Sequence, residues 1–491
     1  MGVGTPQSST VRVFWFLFLF LNALYLLTSS GRVRTIDEVT ADYQAESLIR
    51  RGNVAVPQAV AAGNYYGKLD REGSPQAPYG AAQAVLIVPW YLAGLAVRAF
   101  MPGVPAQSQD LVLDAVLVAS SSTFAALASA LVFLILAQRG IGIVPSLGTA
   151  ALVGLATPLF AYSSWLFSEP LAAALFLAAT ALLFADAAGI TVGRAAAAGI
   201  LLGVALWVRP VHVVSVPVFV AAVAARGLRR AAIPAATLAI VAAAFGVAYL
   251  VRNDILFGSF LDFGYPAAAE GGRRLNTFET PLLTGLVGFL FSPGKSLFLF
   301  APPVILGIAG LPRLARLDRG LVVLAAGMPF VYLLFYARYT QWEGGYCFGP
   351  RYLLPVIPLL CLACGPMLQT AGRNTLRLAI ALGIVGLLVQ AVGMSTSFLE
   401  DQARGAYYDQ QWNYRMSYAP LISQTGRLFE YALDSQPAPI GRGFDRWFVF
   451  LAKGGVAHGT IALVLLMELC AAALFMRLLC REVRLPTARS A

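Results

Sequence analysis

The sequence predicts an all-α polytopic membrane protein with about twelve transmembrane helices. Hydrophobic residues make up 58% of its 491 positions and charged residues only 12%, whereas a soluble globular protein has about 45–50% and about 25%. Apolar runs such as 112–137, 143–162 and 320–337 are each about as long as the ~20 residues that cross a bilayer. These observations exclude a soluble enzyme, a disordered chain and a coiled coil as the main architecture.

The predicted spans alternate along the chain from a cytoplasmic N-terminus. The first apolar run follows Arg12 and lacks a small-residue cleavage site, so we interpret it as a retained helix and not as a signal peptide. The spans are 13–29, 112–137, 143–162, 169–187, 195–208, 211–225, 231–251, 297–311, 320–337, 351–369, 377–398 and 447–476.

Positive charge marks one side of this arrangement, as the positive-inside rule requires. The short loops on the N-terminal side contain only three acids, Asp186, Asp318 and Glu482, against Arg12, Arg139, Arg194, Arg226, Arg229, Arg230, Arg313, Arg316, Arg319, Arg373, Arg377, Arg477, Arg481, Arg484 and Arg489. The opposite side receives the long segments 30–111, 252–296 and 399–446, which hold most of the acids. We therefore expect the functional residues on that outer side.

One further apolar run, 81–99, is interpreted as an interfacial helix in the first outer loop. A full crossing there would reverse every later loop, and Trp90 and Tyr91 suit the membrane interface. We divide the chain into a transmembrane catalytic module over 1–398, an outer-face loop over 399–446, and a last helix with a basic cytoplasmic tail over 447–491.

Two classes of ligand are excluded by composition. The net charge of +11 does not indicate nucleic acid, because the 35 Lys and Arg are distributed among the spans and form no single basic face. The five cysteines set no disulfide framework. With only two histidines in the chain, the pair Cys361 and Cys364 lacks partners for a zinc site.

Adjacent carboxylates follow the first span, at Asp37 and Glu38. One of such a pair is able to act as a base while the other orients it or binds a cation. A helix cap at Asp37, before the run 39–49, is an equally good explanation of these residues. Ser168-Glu169-Pro170 opens the fourth span, where Glu169 is either a first-turn acid or a metal ligand facing Asp37.

Basic residues also lie at outer helix ends. Arg209-Pro210 separates two spans, and a guanidinium there binds phosphate oxygens in a bidentate manner. Lys295 lies in a Ser-Pro-Gly-Lys turn of re-entrant type, and Arg351 begins a helix after a glycine-rich loop. Lys68 is either a phosphate contact or a solvated loop lysine. Side chains that suit a sugar ring or an acceptor are Tyr265, Trp342, Glu343 and Tyr346.

The order of these motifs resembles that of membrane glycosyltransferases of the GT-C fold. That group contains protein O-mannosyltransferases, the bacterial aminoarabinose transferase of lipid A, and related enzymes that use a polyprenyl-phosphate sugar. The similarity covers roughly residues 11–400. It rests on Thr35-Ile36-Asp37-Glu38, Tyr79-Gly80, Ser168-Glu169-Pro170, Arg209-Pro210, Phe257-Gly258, Gly264-Tyr265, Ser292-Pro293-Gly294-Lys295 and Gly349-Pro350-Arg351-Tyr352.

The resemblance implies the chemistry. An acid of the first outer loop is the family's catalytic base, which falls on Asp37 with Glu38 beside it. Basic residues that hold the lipid phosphate fall on Arg209, Lys295 and Arg351. The family's frequent Lys-Pro-Pro element is replaced by Gln76-Ala77-Pro78-Tyr79-Gly80, so Lys68 becomes the substitute contact. A divalent cation, Mg²⁺ or Mn²⁺, held by Glu169 and Glu38 against the phosphate would also fit.

The sequence thus predicts an inverting glycosyltransferase at the outer face of a bacterial cytoplasmic membrane. It would move a sugar from a polyprenyl-phosphate donor to a hydroxyl of a glycan, lipid or protein acceptor. A transporter or flippase of a lipid-linked sugar is the alternative, which Glu468 in the last span supports. A non-catalytic assembly subunit is a third possibility, in which Asp37 and Glu38 only cap a helix.

The charge pattern generates a test of sidedness. In a cysteine-depleted protein, a single cysteine at position 70 should react with a membrane-impermeant maleimide applied from outside, and one at position 316 should not. Permeabilised cells, in which both positions should react, provide the control. External labelling of position 316 would contradict the assigned topology.

Overall fold

The computed structural model describes residues 8–101, 105–184, 189–266, 276–402, 410–433 and 443–484. Asp186, Arg489 and parts of the outer-face loop, 403–409 and 434–442, lie outside them, as does the tail 485–491. Among the described residues, seven helices are long and apolar enough to cross a membrane. Shorter apolar helices complete the bundle, so the predicted all-α polytopic membrane architecture is confirmed.

Most predicted spans coincide with helices, although the predicted spans 297–311 and 351–369 are each divided into shorter helices. The first eleven are α1 Ser8–Thr28, α2 Ile36–Arg51, α3 Pro57–Ala61, α4 Ala82–Ala99, α5 Ala106–Gln138, α6 Ile143–Ala156, α7 Pro158–Tyr162, α8 Glu169–Phe184, α9 Val192–Val208, α10 Ser215–Ala224 and α11 Leu228–Phe257. The others are α12 Leu282–Phe291, α13 Leu297–Phe300, α14 Pro303–Leu317, α15 Arg319–Arg338, α16 Ile357–Cys361, α17 Cys364–Gln369, α18 Arg373–Ser395, α19 Phe398–Gln402, α20 Pro420–Leu433, α21 Trp447–Lys453 and α22 His458–Arg484.

Some predicted spans are broken helices. The predicted span 143–162 divides at Thr157, whose extended backbone ends α6 and whose hydroxyl caps α7. The predicted last span 447–476 is wrong as a single helix, because α21 ends before Gly454 and Gly455, the latter with a φ of 84°. The long helix α22 then begins at His458. Helix α4 is long enough to cross a membrane, and its interfacial placement stays a prediction.

An ion-pair cluster joins the loops that were predicted to share the basic side. Asp318 Oδ2 lies 2.8 Å from Arg139 Nη2 and 3.3 Å from Arg226 Nε. Its Oδ1 accepts hydrogen bonds from the backbone N–H groups of Gly320 and Leu321 and caps α15. The ends of α5, α10 and α14 therefore meet at one end of the bundle, opposite the predicted outer segments.

A hairpin in the first outer loop leads the chain toward α9. Strands β1 (Lys68–Leu69) and β2 (Pro75–Gln76) pair antiparallel, and the Asp70 carboxylate accepts hydrogen bonds from the turn at the N–H groups of Glu72 and Ser74. Gly80 then packs on the Trp207 carbonyl so closely that a Cβ would overlap it. Only glycine permits this approach, which brings the preceding Tyr79 to the C-terminal end of α9.

The outer segments are also tied to each other. Arg34 Nη1 donates to both oxygens of Asp445, at 2.9 and 2.7 Å. The two side chains are only 4% and 1% exposed. The Trp447 N–H beside this pair donates to the Ser29 carbonyl. A buried ion pair thus joins described residues of the first and third predicted outer segments.

Candidate active site

Four separate segments bring charged side chains together at the end of the bundle that was predicted to face outward. Asp37 lies in the first turn of α2, Glu169 begins α8, Arg209 follows α9, and Arg351 follows the glycine-rich loop after α15. Helix α8 is buried along almost its whole length, so its first residue is held inside the protein. Ion pairs connect the sequence-predicted residues Asp37, Glu169, Arg209 and Arg351, so these residues are neighbours in space.

Asp37 is the centre of this group. Its Oδ2 lies 3.0 Å from Arg209 Nη2 and also pairs with Arg351 Nη2, while its Oδ1 accepts a hydrogen bond from the Tyr79 hydroxyl. Burial by itself raises the pKa of a carboxyl group. Here the charges of Arg351 and Arg209 and the Tyr79 hydrogen bond outweigh it and hold the pKa of Asp37 well below its usual range. Asp37 is therefore ionised.

Each arginine is anchored by its Nε. Arg209 Nε donates to Ser168 Oγ at 2.8 Å, and Arg351 Nε donates to Glu169 Oε1 at 2.7 Å. The Ser-Glu-Pro motif thus supplies one anchor for each guanidinium, and the terminal nitrogens extend to Asp37. Arg209 also lies over the Tyr79 ring, with its Cζ 4.6 Å from the ring centroid.

A cavity of about 460 Å³ borders Arg209. Its walls come from α9, α11, α15 and the segments that follow these helices, and are mostly apolar, as at Leu206, Phe263 and Phe335. Polar groups are contributed by Tyr265, Asn276 and Tyr339, in addition to Arg209. The volume lies within the range of about 300–1,000 Å³ typical of small-molecule sites. Arg209 is the only charged residue among the described residues of the lining.

Glu38 makes structural contacts with the backbone, and its predicted catalytic role stays a prediction. Its Oε2 accepts hydrogen bonds from the N–H groups of Thr35 and Arg34, at 2.8 and 3.3 Å. The Thr35 hydroxyl accepts the Glu38 N–H, which completes a capping box at the start of α2. The other oxygen, Oε1, accepts the N–H of Leu166 at 2.9 Å. With both oxygens on backbone donors and the residue fully buried, Glu38 holds α2 against the segment before α8.

The two predicted lysine contacts face other partners. Lys295 is 2% exposed, and its Nζ donates to the Cys347 carbonyl at 2.9 Å and contacts Cys347 Sγ at 3.1 Å. Lys295 thus holds the glycine-rich loop through its contacts with Cys347. Lys68 Nζ pairs with Asp262 Oδ2 at 2.8 Å, at the surface. A phosphate contact at either lysine remains a prediction.

The predicted sugar-binding residues divide in the same way. Tyr265 lines the cavity, and its ring packs edge-on against Tyr79. Trp342 is fully buried and packs on Phe289, and its predicted contact with a sugar stays a prediction. Glu343 and Tyr346 are half-buried in the glycine-rich loop, and their predicted role is untested.

A metal role for Glu169 gains no support from its surroundings. Its Oε1 is taken by Arg351, a cation that already neutralises the carboxylate. Among the described residues, no group of three or more His, Cys, Asp or Glu side chains is arranged to hold a metal ion. The predicted divalent cation stays an untested expectation.

Sequence reasoning missed the roles of Tyr79 and Ser168. Both stand inside motifs that were noted, Tyr79-Gly80 and Ser168-Glu169-Pro170, but neither was assigned a contact. The glycine after Tyr79 was the available signal, because a glycine before a helix indicates a close backbone approach. The chain position of Ser168 gave no comparable signal, since serine there also suits a helix cap.

Comparison with known proteins gives a structural likeness only. No family model matches the chain, and no curated protein matches it. Among solved structures, the chain is similar to ArnT from Cupriavidus metallidurans bound to undecaprenyl phosphate, with 16% identity, a TM-score of 0.44, and coverage of 96% of this chain and 76% of that chain. It is similar to the apo state of the same protein with 15% identity, a TM-score of 0.47 and the same coverage.

The capping role of Glu38 is testable by stability. Glu38→Ala leaves buried N–H groups without acceptors, and should lower the free energy of unfolding by about 1–3 kcal/mol for each unsatisfied group. Glu38→Gln keeps one of the two acceptor oxygens and should therefore lose less than Glu38→Ala. Thermal melting in detergent measures both. A Glu38→Gln protein that melts like the wild type but has lost all activity would instead support a catalytic role for Glu38.

Proposed function

We propose that the protein is an inverting glycosyltransferase that uses a polyprenyl-phosphate sugar. The observation that carries the proposal is the pairing of an ionised carboxylate, Asp37, with a guanidinium, Arg209, that lines a largely apolar cavity between helices. An apolar cavity suits the isoprenoid part of the donor, and the guanidinium suits its phosphate. The sequence motifs supply the donor class, and the geometry supplies the pairing of base and cation.

In the proposed reaction Asp37 accepts the proton of an acceptor hydroxyl. The acceptor oxygen attacks the anomeric carbon from the face opposite the phosphate, and the bond from that carbon to the phosphate oxygen breaks. The polyprenyl phosphate leaves with the bonding electrons and gains negative charge. Arg209 is placed to stabilise that charge as it develops. Activation comes with the lipid, so no nucleotide-binding element is needed.

The alternative of a lipid-linked sugar transporter has less support. It depended on an ionisable group within the spans, Glu468. Glu468 lies on α22, which packs against α1 and is otherwise largely exposed on the bundle surface. Helix α22 contributes no described residue to the cavity lining. We therefore propose transfer and not transport.

The base assignment predicts a large loss of turnover. Asp37→Asn keeps the size of the side chain but removes the proton acceptor, and the rate at saturating donor should fall by about 10²–10⁴. The assay incubates purified protein with a panel of radiolabelled polyprenyl-phosphate sugars and a membrane extract as the acceptor source. Glu46→Gln, which removes a carboxylate from the same helix, is the control and should turn over normally. Normal turnover by a folded Asp37→Asn protein would remove the proposed mechanism.

The phosphate assignment predicts weaker donor binding. Arg209→Ala removes a charge-assisted hydrogen bond, so the affinity for donor lipid should fall by about 1.5–3 kcal/mol. Arg338→Ala, which removes an exposed arginine that donates to the carbonyl of the cavity-lining residue Phe278, should bind like the wild type. The measurement is the dissociation constant of the donor lipid in detergent. Equal affinities for the two variants would count against the assignment.

A further inference from the structure

We infer that Asp37 and the donor phosphate compete for the same arginine, so that donor binding itself releases the base. The inference rests on the proposed function, because it needs a phosphate that enters the cavity beside Arg209. The roles proposed for Asp37 and Arg209 do not explain how the carboxylate becomes reactive when two arginines already neutralise it. The inference concerns this step.

The arrangement before donor binding is unsuited to base chemistry. Asp37 Oδ2 is shared by Arg209 and Arg351, and Oδ1 holds the Tyr79 hydroxyl. A carboxylate stabilised in this way gains little by accepting a proton, whereas a general base works best with a pKa near the operating pH. The arginines must therefore leave Asp37, at least in part, before it takes the proton of an acceptor.

The anchors of the arginines permit such a change. Ser168 and Glu169 hold the two guanidinium groups by Nε, while the terminal nitrogens make the contacts with Asp37. A guanidinium carries five donors, so its outer edge is able to exchange one acceptor for another while Nε keeps its bond. Arg209 also borders the cavity, and a phosphate there offers two oxygens in the geometry that an arginine edge prefers.

Glu169 provides an acceptor for the second arginine. Its Oε2 is buried and has no hydrogen-bond partner among the described residues, although Oε1 is bound to Arg351 Nε. An unsatisfied buried carboxylate oxygen is costly. A small rotation of Arg351 away from Asp37 would satisfy Oε2 and form a two-point pair with Glu169. The charge of Arg351 would then be balanced by Glu169 and not by Asp37.

The sequence of events follows from these contacts. The donor phosphate takes the outer edge of Arg209, Arg351 turns to Glu169, and Asp37 keeps only the Tyr79 hydroxyl. Burial without cations then raises the proton affinity of Asp37. The base is thus released only when the sugar donor is in place, and the phosphate charge replaces the carboxylate charge beside Arg209.

Competition makes an unusual prediction, because removal of the carboxylate should improve binding of the lipid. Asp37→Asn should bind a polyprenyl monophosphate, in detergent and without acceptor, about ten- to a hundredfold more tightly than the wild type, which corresponds to one charge-assisted hydrogen bond. Glu46→Gln on the same helix is the matched charge control and should bind like the wild type. Unchanged or weaker binding by folded Asp37→Asn overturns the inference.

A double variant separates competition from a general gain of positive charge. If Asp37 competes for Arg209, the tightening should disappear when Asp37→Asn is combined with Arg209→Ala. Tightening that persists in the double variant overturns the competition. Wild-type protein that binds no polyprenyl phosphate, or binds it independently of Arg209, overturns the proposed function and this inference together. Arg209-dependent binding without tightening in Asp37→Asn overturns the inference alone.

Calorimetry on the wild type tests the same idea without a variant that has to fold. A polyprenyl phosphodiester carries one charge that does not titrate, so any proton taken up on binding belongs to the protein. Titrations at about pH 5 in buffers of different ionisation enthalpy should reveal proton uptake, because Asp37 loses its cations. The groups that face Asp37 are Arg209, Arg351 and Tyr79. The two arginines and the tyrosine hydroxyl already carry their protons at about pH 5, so none of them accounts for proton uptake. Binding with no proton uptake contradicts the release of Asp37.

Discussion

A single carboxylate shared by two arginines, one buried and one largely buried, links four distant segments of this protein. Asp37 joins α2 to the end of α9 and to the loop that precedes α16, and the anchors of the arginines add the start of α8. Loss of one partner from a buried ion pair typically costs about 3–5 kcal/mol, because it leaves a charge without compensation. The four segments are distant in sequence, so the site exists only in the folded bundle.

Hydropathy and charge predicted most of the fold, because a membrane forces long apolar helices and biases the charges of the loops. The ends of the helices were predictable for the same reason, and Asp37, Glu169, Arg209 and Arg351 were all singled out as charges at outer helix ends. The break between α21 and α22 was harder to predict. Lys453, Gly454 and Gly455 interrupt the apolar run there, but the prediction continued one span across them.

The sequence could not separate the roles of neighbouring residues. Asp37 and Glu38 are adjacent carboxylates that the sequence does not distinguish. Consecutive side chains on a helix point about 100° apart, so Asp37 contacts the arginines and Glu38 contacts backbone N–H groups. The spacing of Thr35 and Glu38 is that of a capping box, a signal that favours the structural role for Glu38. The sequence also did not show that Trp342 and Lys295 are buried, because burial depends on packing between distant segments, which local sequence does not report.

The buried pair of Arg34 and Asp445 has a consequence for where the chain can be divided. It connects the residues just before α2 to those just before α21, and α22 packs along α1 with Glu482 paired to Arg12. The two ends of the described chain are thus fastened to each other at both faces of the bundle. A protein shortened to its first 398 residues would carry Arg34 in the interior without its counter-ion and would expose an apolar flank of α1. The C-terminal segments therefore stabilise α1 through contacts at both of its ends.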